Sequence, residues 1–233
     1  LLEALDLYNL TQVSAYDDFR RIGLPSKFIY EFIDGASRDN YNQDGSLNAL
    51  ADLVSLAGAG LAGDVFELQE GTAQIPQSLL ASSEVRLNTG VAAVRLHPSQ
   101  LNYAILDAAG RETSVDAVVL ATPLEFTNIS LPADVKTSPR PYQPTYVALA
   151  AGRLSREAFG ERADGLDTVL TVETTNVKFS CIGAHGSAGG DPIYKVMSRQ
   201  RLSDNELDAY VFERRSSSVV RADWNASGAY TKL

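Results

Sequence analysis

Leu68-Gln69-Glu70-Gly71-Thr72-Ala73-Gln74-Ile75-Pro76-Gln77-Ser78-Leu79-Leu80 and, further on, Asp116-Ala117-Val118-Val119-Leu120-Ala121-Thr122-Pro123 are the segments on which the fold turns. Gly71 carries no Cβ, so its backbone can approach a ligand closely. Ile75, Leu79 and Leu80 follow at helical spacing and predict a short helix whose first N–H groups point back towards whatever sits against the glycine. Between the two segments, Val85, Leu87, Val91, Val94 and Leu96 have strand-like periodicity, punctuated by Asn88-Thr89-Gly90. Leu101 to Asp107 reads as a further strand and Ala108-Ala109-Gly110 as a turn. Val115 to Ala121 is a nearly continuous apolar run of the kind buried on both faces of a sheet, and Pro123 stops it because it cannot donate to a ladder. The glycine corner and the apolar run are thus expected as neighbouring walls of one crevice.

Towards the N-terminus, Ser14 is placed to cap a short helix with Asp17 and Asp18 in its first turn, where carboxylates suit the helix dipole. Pro25-Ser26 opens the next helix, with Phe28, Ile29, Phe32 and Ile33 as its expected buried face. That aromatic face reads as ordinary core, with the lining of an apolar tunnel as the alternative. Arg38, Asn40, Tyr41 and Gln43 form a polar cluster at the helix end. Ser46 begins a third helical pattern through Leu47, Leu50, Leu53, Val54 and Ala57. It ends in Gly58-Ala59-Gly60-Leu61-Ala62-Gly63, which spells G-x-G-x-x-G. A dinucleotide fingerprint needs a strand before it and a crossover helix after it. Here a helix precedes, and Asp64 to Leu68 is too short to form the crossover, so the spelling reads as a helix-ending loop.

Beyond Pro132, Lys136-Thr137-Ser138-Pro139-Arg140-Pro141-Tyr142-Gln143-Pro144 marks the passage to another part of the chain. Thr145 to Ala151, Asp167 to Val172, Val177 to Gly183 and Ile193 to Arg199 read as four strands, with a glycine-rich turn at Gly186-Ser187-Ala188-Gly189-Gly190. Their short connections predict antiparallel order. Ser203-Asp204-Asn205-Glu206 has the spacing of a capping box, with Leu207, Tyr210 and Val211 facing inward.

The 233 residues are 45% hydrophobic, enough for a real core. A formal charge of −9 and a pI near 4.7, with no basic stripe, argue against nucleic acid as a partner. The single cysteine, Cys181, excludes an intrachain disulfide, and no metal-ligand spacing is present. His97 and His185 have no nucleophile or ligand companions, so both read as solvated. Cys181 sits in an expected strand and reads as a buried filler. No apolar run reaches the length of a membrane span, and the N-terminus lacks the shape of a secretory signal. Three sequons, at Asn9, Asn128 and Asn225, bear on compartment, and read either as marks of a secretory route or as chance triplets in a chain of this length.

The order E-G-x-x-x-I-P-x-x-L-L, strand, G-V-x-x-V, hairpin, D-x-V-V-L-A-T-P-L resembles the middle of flavin-dependent oxidases of the amine-oxidase type, and within them the prenylcysteine oxidase, or prenylcysteine lyase, family. Lys27-Phe28-Ile29-Tyr30-Glu31-Phe32 with Arg38-Asp39-Asn40-Tyr41-Asn42-Gln43, Gly165-Leu166-Asp167-Thr168-Val169-Leu170-Thr171, and Ile193-Tyr194-Lys195-Val196-Met197-Ser198 resemble that family in the same order. The resemblance implies an α/β plus α+β fold. Residues 68–132 would be part of an FAD-binding sheet domain. Residues 1–67 would supply the helices, and 133–233 the antiparallel sheet and helix, of a substrate domain. It also implies non-covalent FAD and oxidation of the thioether of a prenylated cysteine, with molecular oxygen as acceptor and a lysosomal, vacuolar or secreted location. Carried across, Gly71 and Thr72 would lie near the flavin, Val91 would meet the adenine, and Thr122 and Pro123 would approach the dinucleotide. Arg38, Asn40, Tyr41 and Gln43 would lie near the substrate. One departure stands out: Glu70-Gly71 replaces the two adjacent glycines usual in the family. The family's fingerprint would lie upstream of Leu1, so this chain alone is expected to be colourless and inactive. Another flavin oxidase acting on amines, and a flavin-free interaction module of the same fold, are the rival classes.

Overall fold

The computed structural model describes residues 2–58, 66, 68–97, 102–136, 140–172, 176–210, 212–213 and 219–228. It divides into two units, Leu1–Val65 with Pro141–Leu233, and Phe66–Arg140. The expected loop at 59–63, and the side chains of Tyr210 and Val211, lie outside the described residues.

In the first unit, α1 (Ala15–Arg21) starts where Ser14 accepts the Asp17 N–H at 3.1 Å, as its sequence requires. A continuous helical stretch follows: α2 (Ser26–Phe28), a π-helical turn (Ile29–Ile33) and α3 (Asp34–Tyr41), closed by Asn42 in the left-handed conformation. Ile29 and Ile33 are buried against Ala15 and Phe19. Phe28 and Phe32 are not: they are 44% and 38% exposed and stack on each other with centroids 5.1 Å apart. Adjacent rows of a helix diverge in direction, and only the isoleucine row faces α1.

Helix α4 (Ala49–Leu56) is capped by Asn48, which accepts the Ala51 N–H at 3.0 Å. Its polar residues Asp52 and Ser55 are buried, while Leu53 and Val54 are exposed, the reverse of the expected amphipathicity. Polar groups on α3 account for this. The buried Ser37 hydroxyl needs an acceptor, which Asp52 provides, and the exposed Asn40 side chain donates to Ser55 beside it.

A five-stranded sheet completes the unit. It consists of β4 (Tyr142–Ala151), β6 (Thr168–Leu170), β7 (Cys181–Ala188), β8 (Asp191–Ser198) and β10 (Val219–Gly228), in the order β10-β4-β8-β7-β6, antiparallel throughout. Strand β10 has no clean alternation and went unforeseen. The expected strand from Val177 starts instead at Cys181 and runs through the glycine-rich segment, so the turn is Gly189-Gly190, both at positive φ. A small ladder joins β5 (Arg153–Leu154) to β9 (Phe212–Glu213), and the short helix α6 (Arg156–Phe159) follows β5 with Ser155 as its cap. On one face of the large sheet, Ala148, Ala150, Ile182, Tyr194 and Val196 pack with Leu207 of α7 (Asp204–Tyr210). On the other, Val147, Cys181 and Met197 cluster. The capping box forms as expected: the Ser203 N–H donates to Glu206 at 2.8 Å and the Glu206 N–H to the Ser203 hydroxyl at 3.3 Å.

In the second unit, α5 (Gln74–Leu80) precedes a meander of β1 (Val91–His97), β2 (Asn102–Asp107) and β3 (Glu112–Val115). Gly110 makes the β2–β3 turn at φ +81°. Val85 and Leu87 lie outside any strand, and Leu87 is 78% exposed. The apolar run also departs from expectation: regular pairing ends at Val115, and Val119 is 89% exposed. An apolar run becomes a buried strand only if flanking strands take its N–H and C=O groups. Among the described residues none does so for 117–121. Strand β1 instead pairs in parallel with Ser130, the Val94 N–H donating to the Ser130 carbonyl at 2.8 Å.

Candidate functional site

Two groups of residues carry the functional reading, one in each unit. In the second unit, the chain reverses at Gln69-Glu70, where the Gly71 N–H donates to the Leu68 carbonyl at 2.9 Å. Glu70 and Gly71 follow one another in the left-handed region, at φ +67° and +92°. A Cβ on Gly71 would meet nothing within 4 Å, so conformation, not packing, demands the glycine, and its backbone is open. The Gln74 side chain donates back to the Gly71 carbonyl at 3.2 Å and to the Gln69 carbonyl, tying the corner to α5. Thr72 is exposed beside it, as are Ile75, Leu79 and Leu80 on α5.

Val91 lines a cavity of about 300 Å³ with Glu84, Arg86, Ile105, Asp107 and Arg111. Thr122 and Pro123 are exposed at the end of the apolar run, just before a 3-10 turn at Leu124–Phe126. In that turn, hydrogen bonds from Arg140 hold the Glu125 carboxyl down at about 2. Among the described residues, no hydrogen bond joins the Gly71 corner to Val91 or to Thr122-Pro123.

In the first unit, α3 carries a buried polar network. Asp34 accepts from the Tyr16 hydroxyl at 2.7 Å and the Gly45 N–H at 2.9 Å, and Arg38 lies 3.8 Å away. Burial raises the Asp34 carboxyl despite these donors, and burial together with the Asp34 hydrogen bond raises the Tyr16 phenol. Arg38, only 2% exposed, donates to the Thr171 carbonyl. Asn40 donates to the Ser55 carbonyl at 3.0 Å and hydroxyl at 2.9 Å. Asn42 reaches across to the Ser198 carbonyl at 3.2 Å. Tyr41 is half-buried and Gln43 buried. A Cβ on Gly35 would stand 3.0 Å from the Leu170 Cβ, so α3 and β6 approach as closely as they do only with glycine there.

Asp34, Ser37 and Asp52 belong to this network and were not singled out by sequence. The available signal was their spacing: Asp34, Ser37, Arg38 and Tyr41 lie three and four apart on one helix, and Asp52 and Ser55 three apart on the next.

Cys181 is fully buried, and burial followed by the charge of Asp39 raises its thiol, which stays protonated. His97 lies 3.8 Å from Glu112, and His185 is exposed. Among the described residues, no group of acids, histidines and cysteines is arranged to hold a metal ion. Asn9 and Asn128 are exposed; the side chain of Asn225 lies outside those described.

Comparison with known proteins sets these groups in a family. The family model described as prenylcysteine lyase matches residues 1–232. The chain belongs to the prenylcysteine lyase family. Within it, the chain is 30% identical over 235 residues to the farnesylcysteine lyase of Arabidopsis thaliana, covering 100% of this chain and 46% of that protein. It is 29% identical over 246 residues to a prenylcysteine oxidase 1-like protein of Bos taurus, covering 94% of this chain and 49% of that one. The chain therefore spans about half the length of these curated relatives. In fold, this member of the prenylcysteine lyase family is similar to putrescine oxidase. A double mutant of that protein superposes with a TM-score of 0.61 at 15% identity, covering 97% of this chain and 56% of that chain. The wild type bound to putrescine gives 0.58 at 14% identity, covering 96% of this chain and 56% of that one.

Proposed function

We propose that this chain carries part of the flavin site and the substrate-binding sheet of an FAD-dependent oxidase that cleaves the thioether of a prenylated cysteine. The match of the prenylcysteine lyase family model to residues 1–232 carries this reading. The reaction balances as one prenylcysteine, one water and one oxygen giving one prenyl aldehyde, one cysteine and one hydrogen peroxide. The carbon–sulfur bond breaks, the carbon next to sulfur is oxidised and oxygen is reduced. Bound flavin supplies the two-electron acceptor for such a step.

The residues present fit that group. The bare Gly71 backbone faces open space, and Thr72, Thr122 and Pro123 are exposed at chain corners. Gly71 and Thr72 would lie along the flavin, Val91 by the adenine, and Thr122 and Pro123 by the dinucleotide. Arg38 serves the substrate side by fixing α3 to the Thr171 carbonyl beyond β6 and Asn40 by fixing it to α4, while Gln43 is buried and Tyr41 half-buried at the end of that helix. The exposed Asn9 and Asn128 sequons support passage through the secretory route to a lysosomal, vacuolar or extracellular location.

Peroxide release from S-farnesylcysteine and from simple amines tests the reading, using the longest natural gene product that contains these residues. Release from farnesylcysteine alone is expected, together with a rise in melting temperature on adding FAD, because a ligand that binds only the folded state stabilises it. Release from amines alone would make it an amine oxidase of the same fold. Neither release nor an FAD-dependent shift would leave an interaction module.

A further inference from the structure

Register fixes what the second face of the five-stranded sheet presents. Val147, Met197 and Cys181 are directly paired and cluster on that face, next to α3. Side chains alternate along a strand, so the next row on the same face is Val220, Leu149, Lys195, Gly183 and Thr168, which are also mutually paired. The opposite face is closed by packing around Leu207. This row is not closed: Val220 is 65% exposed, Leu149 is half-buried, and a Cβ on Gly183 would meet nothing within 4 Å.

The row is apolar at one edge and carries one cation, the half-buried Lys195, which makes no ion pair with any described residue. Its charge acts on the Cys181 thiol, and the Asp39 carboxyl hydrogen-bonds that thiol from α3. An ammonium with no ion-pair partner among the described residues, carried by a half-buried residue next to the open space over Gly183, calls for an anion. The apolar ground around it calls for a greasy tail on the same molecule.

We propose that Lys195 binds the carboxylate of an S-prenylated cysteine, with the open space over Gly183 receiving the amino-acid head and the Leu149–Val220 edge the start of the prenyl chain. The assignment rests on the prenylcysteine reading above and adds to it the group that distinguishes a free carboxylic acid from its ester. Asp39, of opposite sign and acting on the same Cys181 thiol, suits the ammonium of the same zwitterion.

The test is equilibrium binding of S-farnesylcysteine and of its methyl ester to the longest natural gene product and to Lys195→Met, Lys195→Arg and Gly183→Val. The wild type is expected to prefer the acid by about tenfold, the size of one charge-assisted contact. Lys195→Met should lose that preference by weakening the acid alone, and Lys195→Arg should keep it. Gly183→Val, which the open space admits without a clash, should weaken both ligands by occupying the ground where the head would lie. An acid preference that survives Lys195→Met overturns the assignment, as does Gly183→Val binding like wild type. Peroxide release in the same samples separates the two readings. Farnesylcysteine turnover with a preference untouched by Lys195→Met removes only the Lys195 assignment. No turnover and no binding by the wild type removes the prenylcysteine reading with it.

Discussion

Asp52 is fully buried on α4, with one carboxylate oxygen accepting the Ser37 hydroxyl and the other meeting no donor among the described residues. Burial pushes its carboxyl from the ordinary 3.8 up to about 6; the Ser37 hydrogen bond opposes the rise, and the charges of Asp34 and Asp44 add to it. The folded chain therefore holds this proton more tightly than the unfolded chain does. Below pH 3.8 both forms carry the proton and the contribution to stability is complete. Between about 3.8 and about 6 only the folded form holds it, so stability falls as pH rises through that window and has no more to lose above it. At about 1.4 kcal/mol per pH unit the full change is about 3 kcal/mol. Asn at position 52 keeps the shape and cannot ionise. Urea unfolding of wild type and Asp52→Asn at pH 4 and pH 7 isolates the group, because every other carboxylate titrates in both proteins. Part of the change is already complete at pH 4, so the wild type should lose about 2 kcal/mol more than the variant on going from pH 4 to pH 7. Equal losses in the two would refute a buried, ionisable Asp52.

Three further outcomes follow from individual residues. Glu70→Gly should raise stability by about 1 kcal/mol, since a side chain at φ +67° strains a backbone that glycine tolerates, and a thermal shift should read it. Ser203→Ala removes half of the capping box that starts α7 and should cost about 1 kcal/mol in urea unfolding. Arg38→Met should cost about 3–5 kcal/mol by the same measurement, because it strips a buried Asp34 of its nearest cation and the Thr171 carbonyl of a donor.

These residues also show where sequence reading succeeds. Ser14, the Ser203–Glu206 box and the Gly110 turn were legible because each is decided within four residues of itself. The burial of α4 was not, because its direction is set by partners on α3, in another part of the chain, and the apolar periodicity of Leu50, Leu53 and Val54 points the other way. The run from Ala117 to Ala121 has the composition of a central strand, yet composition cannot supply the neighbouring strands that would take up its hydrogen bonds. Strand β10 was missed for the converse reason: Val219 to Gly228 has no clean alternation, and β4 supplies the pairing.

At the site, Gly71 was legible only as a point of close backbone approach; its left-handed conformation is set by the turn at Gln69-Glu70, which the sequence did not announce. The substitution of Glu70 for a glycine now has a physical meaning, since Glu70 occupies a left-handed position that a glycine would fill without strain. Lys195 lay in a stretch that resembled the family, but only the pairing of Leu149, Lys195 and Gly183 shows which face it occupies and what lies open beside it.

One measurement bears most directly on thioether oxidation: the product balance when S-farnesylcysteine meets the flavin-loaded longest natural gene product in air. Equal amounts of prenyl aldehyde, free cysteine and peroxide are expected. Peroxide without aldehyde, or a prenylcysteine recovered intact, would contradict it.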